Sequence, residues 1–221
     1  MTPPLRTRVK ICGLTRAEDI DAAARAGADA IGFVFYEGSK RFVGIEQARL
    51  LRLAVPAFVS VTALFVNASE PDVRAVIEQV QPDLLQFHGD EAPEYCASFG
   101  RPYMRAFRVG GPGLDTPAAV LQACRRYASA SAWLFDSYSA GYGGSGLSFD
   151  VGLLRDVRAA SDSRPMVLAG GLKPDSIGQL IQQVRPYAVD VSSGVETTAG
   201  IKSAEKIGAF MQALRAASEN L

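Results

Sequence analysis

Short runs of β-branched and aromatic residues recur along the chain, and between them lie segments whose Ala, Leu and Arg residues fall at helical spacing. This alternation predicts eight strands, at positions 8–12, 30–35, 58–65, 84–87, 103–108, 132–136, 166–169 and 188–191, each followed by an amphipathic segment. The strand ends recur at intervals of about 26 residues, which is room for a strand, a turn and one helix. Eight such units predict an α/β fold, a closed (β/α)8 (TIM) barrel with parallel strands. An open doubly wound sheet competes, but it more often has five or six strands and leaves two units without a place. The Gly- and Pro-rich stretches 110–113 and 141–146 lie inside the β-α rhythm. Residues 1–221 therefore read as a single-domain barrel.

Composition narrows the partners. The chain has 221 residues, 48% of them hydrophobic, enough for a sizeable core. Lys plus Arg equals Asp plus Glu at 23 each, with no run of five like charges, so no electrostatic footprint for nucleic acid or anionic lipid is present. The apolar runs are strand-length, which predicts no membrane span, and the first ten residues lack the apolar segment of a signal peptide. A cytoplasmic location follows as an expectation. Cys12, Cys96 and Cys124 form no CxxC pair and His88 is the one histidine, so neither a disulfide framework nor a metal site is suggested. The helical segments carry mixed charge and no obvious apolar stripe. A monomer is favoured, with a homodimer left open.

In barrels of this kind the chemistry sits where strands end and βα loops begin. Cys12 closes the first strand in Lys10-Ile11-Cys12-Gly13, where it is either a rim thiol with reactive character or a small buried hydrophobe. Lys10 shares its face, as an amine nucleophile or as a barrel lysine paired with a carboxylate. Asp136 closes strand six and is either a rim carboxylate or a turn residue. Strands one and six lie three apart around the closure, so their ends face each other across the mouth, as an acid and a base working on one substrate should.

Strand seven runs into Gly170-Gly171 and strand eight into Ser192-Ser193-Gly194-Val195-Glu196, read as a short polar helix start. Exposed amides at these two loops predict an anion site, and with it a small phosphorylated substrate. Gly141-Tyr142-Gly143-Gly144-Ser145-Gly146 contains GxGxxG but opens no helix directly, so a loop closing over the mouth fits it better than dinucleotide binding. Arg41, in the second βα loop, can fork onto a carboxylate or merely be solvated. His88, after Gln86-Phe87, is a site residue or a polar cap.

Taken together, Val9-Lys10-Ile11-Cys12-Gly13-Leu14, Leu64-Phe65-Val66-Asn67, Gln86-Phe87-His88-Gly89, Leu134-Phe135-Asp136, Leu168-Ala169-Gly170-Gly171-Leu172 and Asp190-Val191-Ser192-Ser193-Gly194-Val195-Glu196 resemble the phosphoribosylanthranilate isomerase family. The resemblance covers nearly the whole chain. It implies Cys12 as general base, Asp136 as general acid and Arg41 as binder of an anthranilate carboxylate. It also implies a phosphate cradle at the backbones of Gly171, Ser193 and Gly194 and an orienting role for Asp190; Gly170 and Ser192, from the same two loops, complete the expected phosphate site, and His88, from its place at a strand end, is the further candidate for substrate binding. Lys40 stands where the family usually has proline, Phe87 replaces the commoner Leu, and Phe149-Asp150 lacks the aromatic that often follows. The implied reaction is an Amadori rearrangement of an N-aryl phosphoribosylamine, which needs two proton movements and no metal or organic cofactor. The thiol's reference pKa of about 8.5 suits a base near neutrality with modest help.

One rival is excluded and two remain. A metal-dependent epimerase of the same fold needs two histidines, and the chain has one. A Schiff-base barrel remains open through Lys10. A catalytically silent phosphate-binding barrel requires neither Cys12 nor Asp136.

Overall fold

The structure, a computed structural model, describes residues 6–138 and 150–218. The glycine loop 141–146 and Phe149 lie outside the described residues. Eight parallel strands close into a barrel in sequence order: β1 (Arg8–Cys12), β2 (Ala30–Val34), β3 (Ser60–Phe65), β4 (Leu84–Phe87), β5 (Tyr103–Val109), β6 (Ala132–Ser137), β7 (Met166–Leu168) and β8 (Ala188–Val191). The helices α1 (Ala17–Ala26), α2 (Ile45–Arg52), α3 (Glu70–Val80), α4 (Pro93–Ala97), α5 (Pro117–Arg125), α6 (Arg155–Ala159), α7 (Ile177–Val184) and α8 (Ala204–Ser218) follow the strands in turn. Closure comes from β1 pairing with β8, Lys10 opposite Asp190 and Ile11 opposite Val191.

Strand alternation divides the side chains into two shells. On β1, Val9 and Ile11 join the large apolar layer between sheet and helices, while Lys10 and Cys12 point into the barrel; on β6, Trp133 and Phe135 face the helices and Leu134 and Asp136 face inward. The interior is filled by Met104, Ala106, Ala132, Leu134, Val167 and Ala169. Nearer the mouth, Val34, Leu64 and Val66 pack with Cys12. Local signals set the helix starts: the Ser69 hydroxyl accepts from the Asp72 amide ahead of α3, and that of Thr116 accepts from the Ala119 amide ahead of α5, each with proline in the first turn.

Three expectations need correction. The third strand begins at Ser60 rather than at position 58, because Phe58 takes a left-handed φ of 69° and stands fully exposed. The segment after β8 makes one 3-10 turn (Ser193–Val195) and then a small antiparallel hairpin, β9 (Glu196–Thr198) and β10 (Ile201–Lys202), before α8 begins. Leu50 and Leu53, three apart at the end of α2, are both exposed, as is Phe58, so this stretch of the surface does carry apolar side chains.

Candidate active site

One cavity opens among the strand ends, with about 730 Å³ of space between atoms, part of it continuous with solvent. Cys12, Arg41, His88, Asp136, Gly170, Gly171, Asp190, Ser192, Ser193 and Gly194 all line it, so the ten residues singled out from the sequence converge on one place. Leu64, Val66, Ala169, Leu172 and Val191 supply apolar wall between them. The sequence order of the strands around the barrel sets β1 and β6 three apart, so Cys12 and Asp136 come from well separated strands.

On the β1 side, Lys10 Nζ lies 2.8 Å from Asp190 Oδ2, and the two side chains are 6% and 7% exposed. Of the two readings open for Lys10, the structure gives the one paired with a carboxylate. Burial works against the ammonium, but Asp190, aided by the neighbouring Cys12, outweighs it and raises the Lys10 pKa. A lysine so held is a poor amine nucleophile. The same burial pushes the Cys12 thiol above its usual value, with Lys10 pulling it down and Asp190 pushing it further up. The second oxygen of Asp190 is buried without a protein partner.

On the opposite side, Asp136 Oδ1 accepts from the Ser137 amide at 2.8 Å, and Oδ2 lies 3.3 Å from His88 Nε2. The Gln86 amide nitrogen sits 3.1 Å from His88 Nδ1. With Gln86 donating, Nδ1 accepts and the ring N–H is on Nε2, facing Asp136. That N–H is not aligned for a hydrogen bond in the ligand-free molecule. His88 is thus a buried neighbour of Asp136 rather than a solvated cap.

The far wall is built of backbone. No described residue accepts from the amides of Gly171, Ser193 or Gly194. At Gly194 a Cβ would lie 1.8 Å from the Leu172 carbonyl oxygen, so only glycine lets the β7 and β8 loops touch. The dipole of a following helix does not contribute here, since α8 starts ten residues later, beyond the hairpin. Among the described residues, amides without a protein acceptor make up this wall.

Arg41 is not solvated. Its Nε and Nη2 bind Glu196 Oε1 and Oε2 at 2.8 and 2.7 Å, and its stem lies across Gly13, where a Cβ would come within 2.4 Å of Arg41 Cδ. The space beside Gly13 is taken by this side chain. Burial opposes the Glu196 carboxylate, but Arg41 and Lys202 together hold its pKa below the ordinary value. Among the described residues, no three His, Cys, Asp or Glu side chains gather into a metal-binding group.

These features meet their counterpart in known proteins. The family profile described as N-(5'phosphoribosyl)anthranilate (PRA) isomerase matches residues 9–213. The chain belongs to the N-(5'-phosphoribosyl)anthranilate isomerase family. A relative of that name from Bordetella parapertussis is 60% identical over 215 residues, covering 97% of this chain and 99% of its own. Another from Pseudomonas putida is 53% identical, covering 95% and 98%. The phosphoribosyl anthranilate isomerase of Thermotoga maritima superposes with a TM-score of 0.85 at 37% identity, covering 95% of this chain and 99% of that one. A further isomerase structure, in complex with reduced 1-(o-carboxyphenylamino)-1-deoxyribulose 5-phosphate, gives 0.82 at 34% identity with the same coverage.

Within this family framework, sequence reading missed the partners. Glu196 was visible only as the end of a motif and Lys202 not at all. The Arg41–Glu196 pair spans 155 positions, and no local pattern announces a contact at that separation. The one available signal was the surplus of polar residues between β8 and α8, where a barrel unit needs only a short turn.

Proposed function

We infer that the chain isomerises N-(5'-phosphoribosyl)anthranilate to 1-(2-carboxyphenylamino)-1-deoxyribulose 5-phosphate, a step of tryptophan biosynthesis, within a single (β/α)8 domain. We further propose the division of labour. The observation that carries it is that Cys12 and Asp136, from β1 and β6, line one cavity whose third wall presents unpaired amides. The doubly charged phosphate is received by the backbone of Gly170, Gly171, Ser192, Ser193 and Gly194. This places the ribose between thiol and carboxyl.

Asp136 gives its proton to the ribose ring oxygen as the C1–O bond breaks and the aryl nitrogen's lone pair forms the iminium. The Cys12 thiolate then removes the proton from C2, and that electron pair becomes the C1–C2 double bond of an enolamine, which tautomerises to the ketone. Burial makes the thiol a reluctant anion, and the ammonium of Lys10 supports its ionised form. Asp190, with one buried oxygen free, accepts a ribose hydroxyl, and His88 orients Asp136 or the substrate beside it. The outer edge of Arg41 faces the anthranilate carboxylate.

Turnover of the fluorescent anthranilate substrate tests the assignment. Cys12→Ala and Asp136→Asn should each lower kcat by roughly 10²–10⁴ in folded protein. Near-normal turnover by either variant removes that residue from the chemistry.

The cytoplasm is the proposed location, supported by three cysteines that are all free thiols. Among the described residues no helix is long and apolar enough to cross a membrane. A monomer is the proposed assembly. Leu50, Leu53 and Phe58 are exposed, yet three side chains do not amount to the roughly 800 Å² per partner of a stable interface. Sedimentation showing a dimer at micromolar concentration overturns it.

A further inference from the structure

Arg41 has five N–H groups in a rigid plane. Its Nε and one Nη2 hydrogen are engaged by Glu196, which leaves the edge formed by Nη1 and the second Nη2 hydrogen. No described residue binds Nη1, and the side chain is 14% exposed on the cavity wall. Glu196 is held in turn from behind. Lys202 Nζ lies 2.7 Å from its Oε1 with the lysine side chain fully buried, and the Gly200 amide donates to the same oxygen at 3.3 Å. Lys202 also reaches the Ser192 carbonyl and hydroxyl at 3.3 Å, and the Ser192 hydroxyl donates to the Cys12 carbonyl at 3.0 Å. One connected frame therefore joins the guanidinium, a loop of the anion pocket and the thiol-bearing strand.

We propose that Glu196 and Lys202 are positioning residues that set substrate specificity: they fix the plane of Arg41 with its outer edge open, so that the site selects N-aryl ribosylamines bearing a carboxylate over those without one. The inference rests on the reading of Arg41 as carboxylate binder and adds what makes that binding directional.

Charge counting separates orientation from simple attraction. Arg41 and Lys202 are positive and Glu196 negative, leaving one positive charge to meet one carboxylate. Without Glu196, Lys202 loses the carboxylate that sustains its charge. Burial already pulls its pKa down, and loss of Glu196 lowers it further, which works against any gain of positive charge facing the substrate. What Glu196→Gln removes is the two-point grip on the guanidinium. Lys202→Met instead removes the ammonium that holds Glu196 Oε1 from behind, loosening the same grip at its far end.

The test measures kcat/KM for the anthranilate substrate and for the same sugar phosphate carried on aniline, with thermal melts, in wild type, Arg41→Ala, Glu196→Gln and Lys202→Met. The readout is the ratio of the two values, which a general packing defect leaves unmoved because it lowers both. Arg41→Ala should reduce the preference for the carboxylated substrate by about a hundredfold, and Glu196→Gln by about tenfold, mainly through KM. Lys202→Met should also reduce it, and carries the test if Glu196→Gln fails to fold. If Arg41→Ala abolishes the preference while the two partner variants leave it intact, the positioning role is overturned and the reading of Arg41 stands. If Arg41→Ala itself leaves the preference intact, Arg41 does not meet the carboxylate, and both fall.

Discussion

Lys10→Met separates two effects of one ammonium group, keeping an unbranched stem inside the barrel. In the native protein Nζ sits 2.8 Å from Asp190 Oδ2, and Asp190 Oδ1 already has no partner. Removing the lysine leaves a buried carboxylate with neither oxygen paired. Breaking one side of a buried pair costs about 3–5 kcal/mol. For a chain of this size that corresponds to a fall in Tm of roughly 6–20 °C. Because the folded pKa of Lys10 is raised above its ordinary 10.5, its stabilisation is complete below that value and fades only as pH rises beyond it, so pH 7 captures it in full.

The second effect is on the thiol. The charged groups facing Cys12 are Lys10, Asp190, Lys202 and Arg41, and only the first is altered. Loss of its pull moves the already raised thiol further up, and each pKa unit is about a tenfold loss of thiolate. The acid limb of kcat/KM should shift to higher pH, and iodoacetamide alkylation of Cys12 at pH 8 should slow. Lys10→Met with Asp190→Asn removes the unpaired charge and should regain most of the lost Tm. Native Tm together with a native alkylation profile in Lys10→Met would refute the coupling of the ion pair to the thiol.

Gly194→Ala forces the Leu172 carbonyl away and parts the two amide-bearing loops. KM should rise more than kcat falls, and inorganic phosphate should compete less well; an unchanged KM places the phosphate elsewhere. Burial pushes the Cys96 thiol up to about 12 and the Cys124 thiol higher still, both from an ordinary 9.0. Such groups stabilise the fold below pH 9, and that contribution is lost as pH rises, because the unfolded chain ionises first. The free energy of unfolding between pH 9 and 11 should therefore fall by up to about 1.4 kcal/mol per pH unit per thiol, less steeply in Cys124→Ala, as read by denaturant titration.

The eight strands were legible because parallel strands covered on both faces read as short apolar runs, each followed by an amphipathic helix. Trp133-Leu134-Phe135 and Val61 to Phe65 carry that signal plainly. The β9–β10 hairpin was not legible. Its strands are three and two residues long, and Thr197, Thr198 and Ile201 are exposed, so no alternation could form. At the site, residues at strand ends were found because the barrel puts chemistry there. Glu196 escaped because its partner Arg41 lies 155 positions away, and Lys202 because its role comes from burial against Glu196. Phe58 misled, since an aromatic beside Val59 looks like strand while its left-handed backbone turns it out to solvent.

The ion pair between Lys10 and Asp190 links residues 180 positions apart, on the first and eighth strands. This gives the catalytic centre a place in time. As the chain is synthesised, the strand bearing Cys12 appears at the outset, but its neighbour β8 and the carboxylate for Lys10 emerge only after seven β-α units have been made. Until then the lysine has no counter-charge and the first strand has an unpaired edge. Reactivity of this thiol should therefore report completion of the ring, and a ribosome-stalled chain ending before β8 holds the proposed base without the charged groups that face it in the closed barrel.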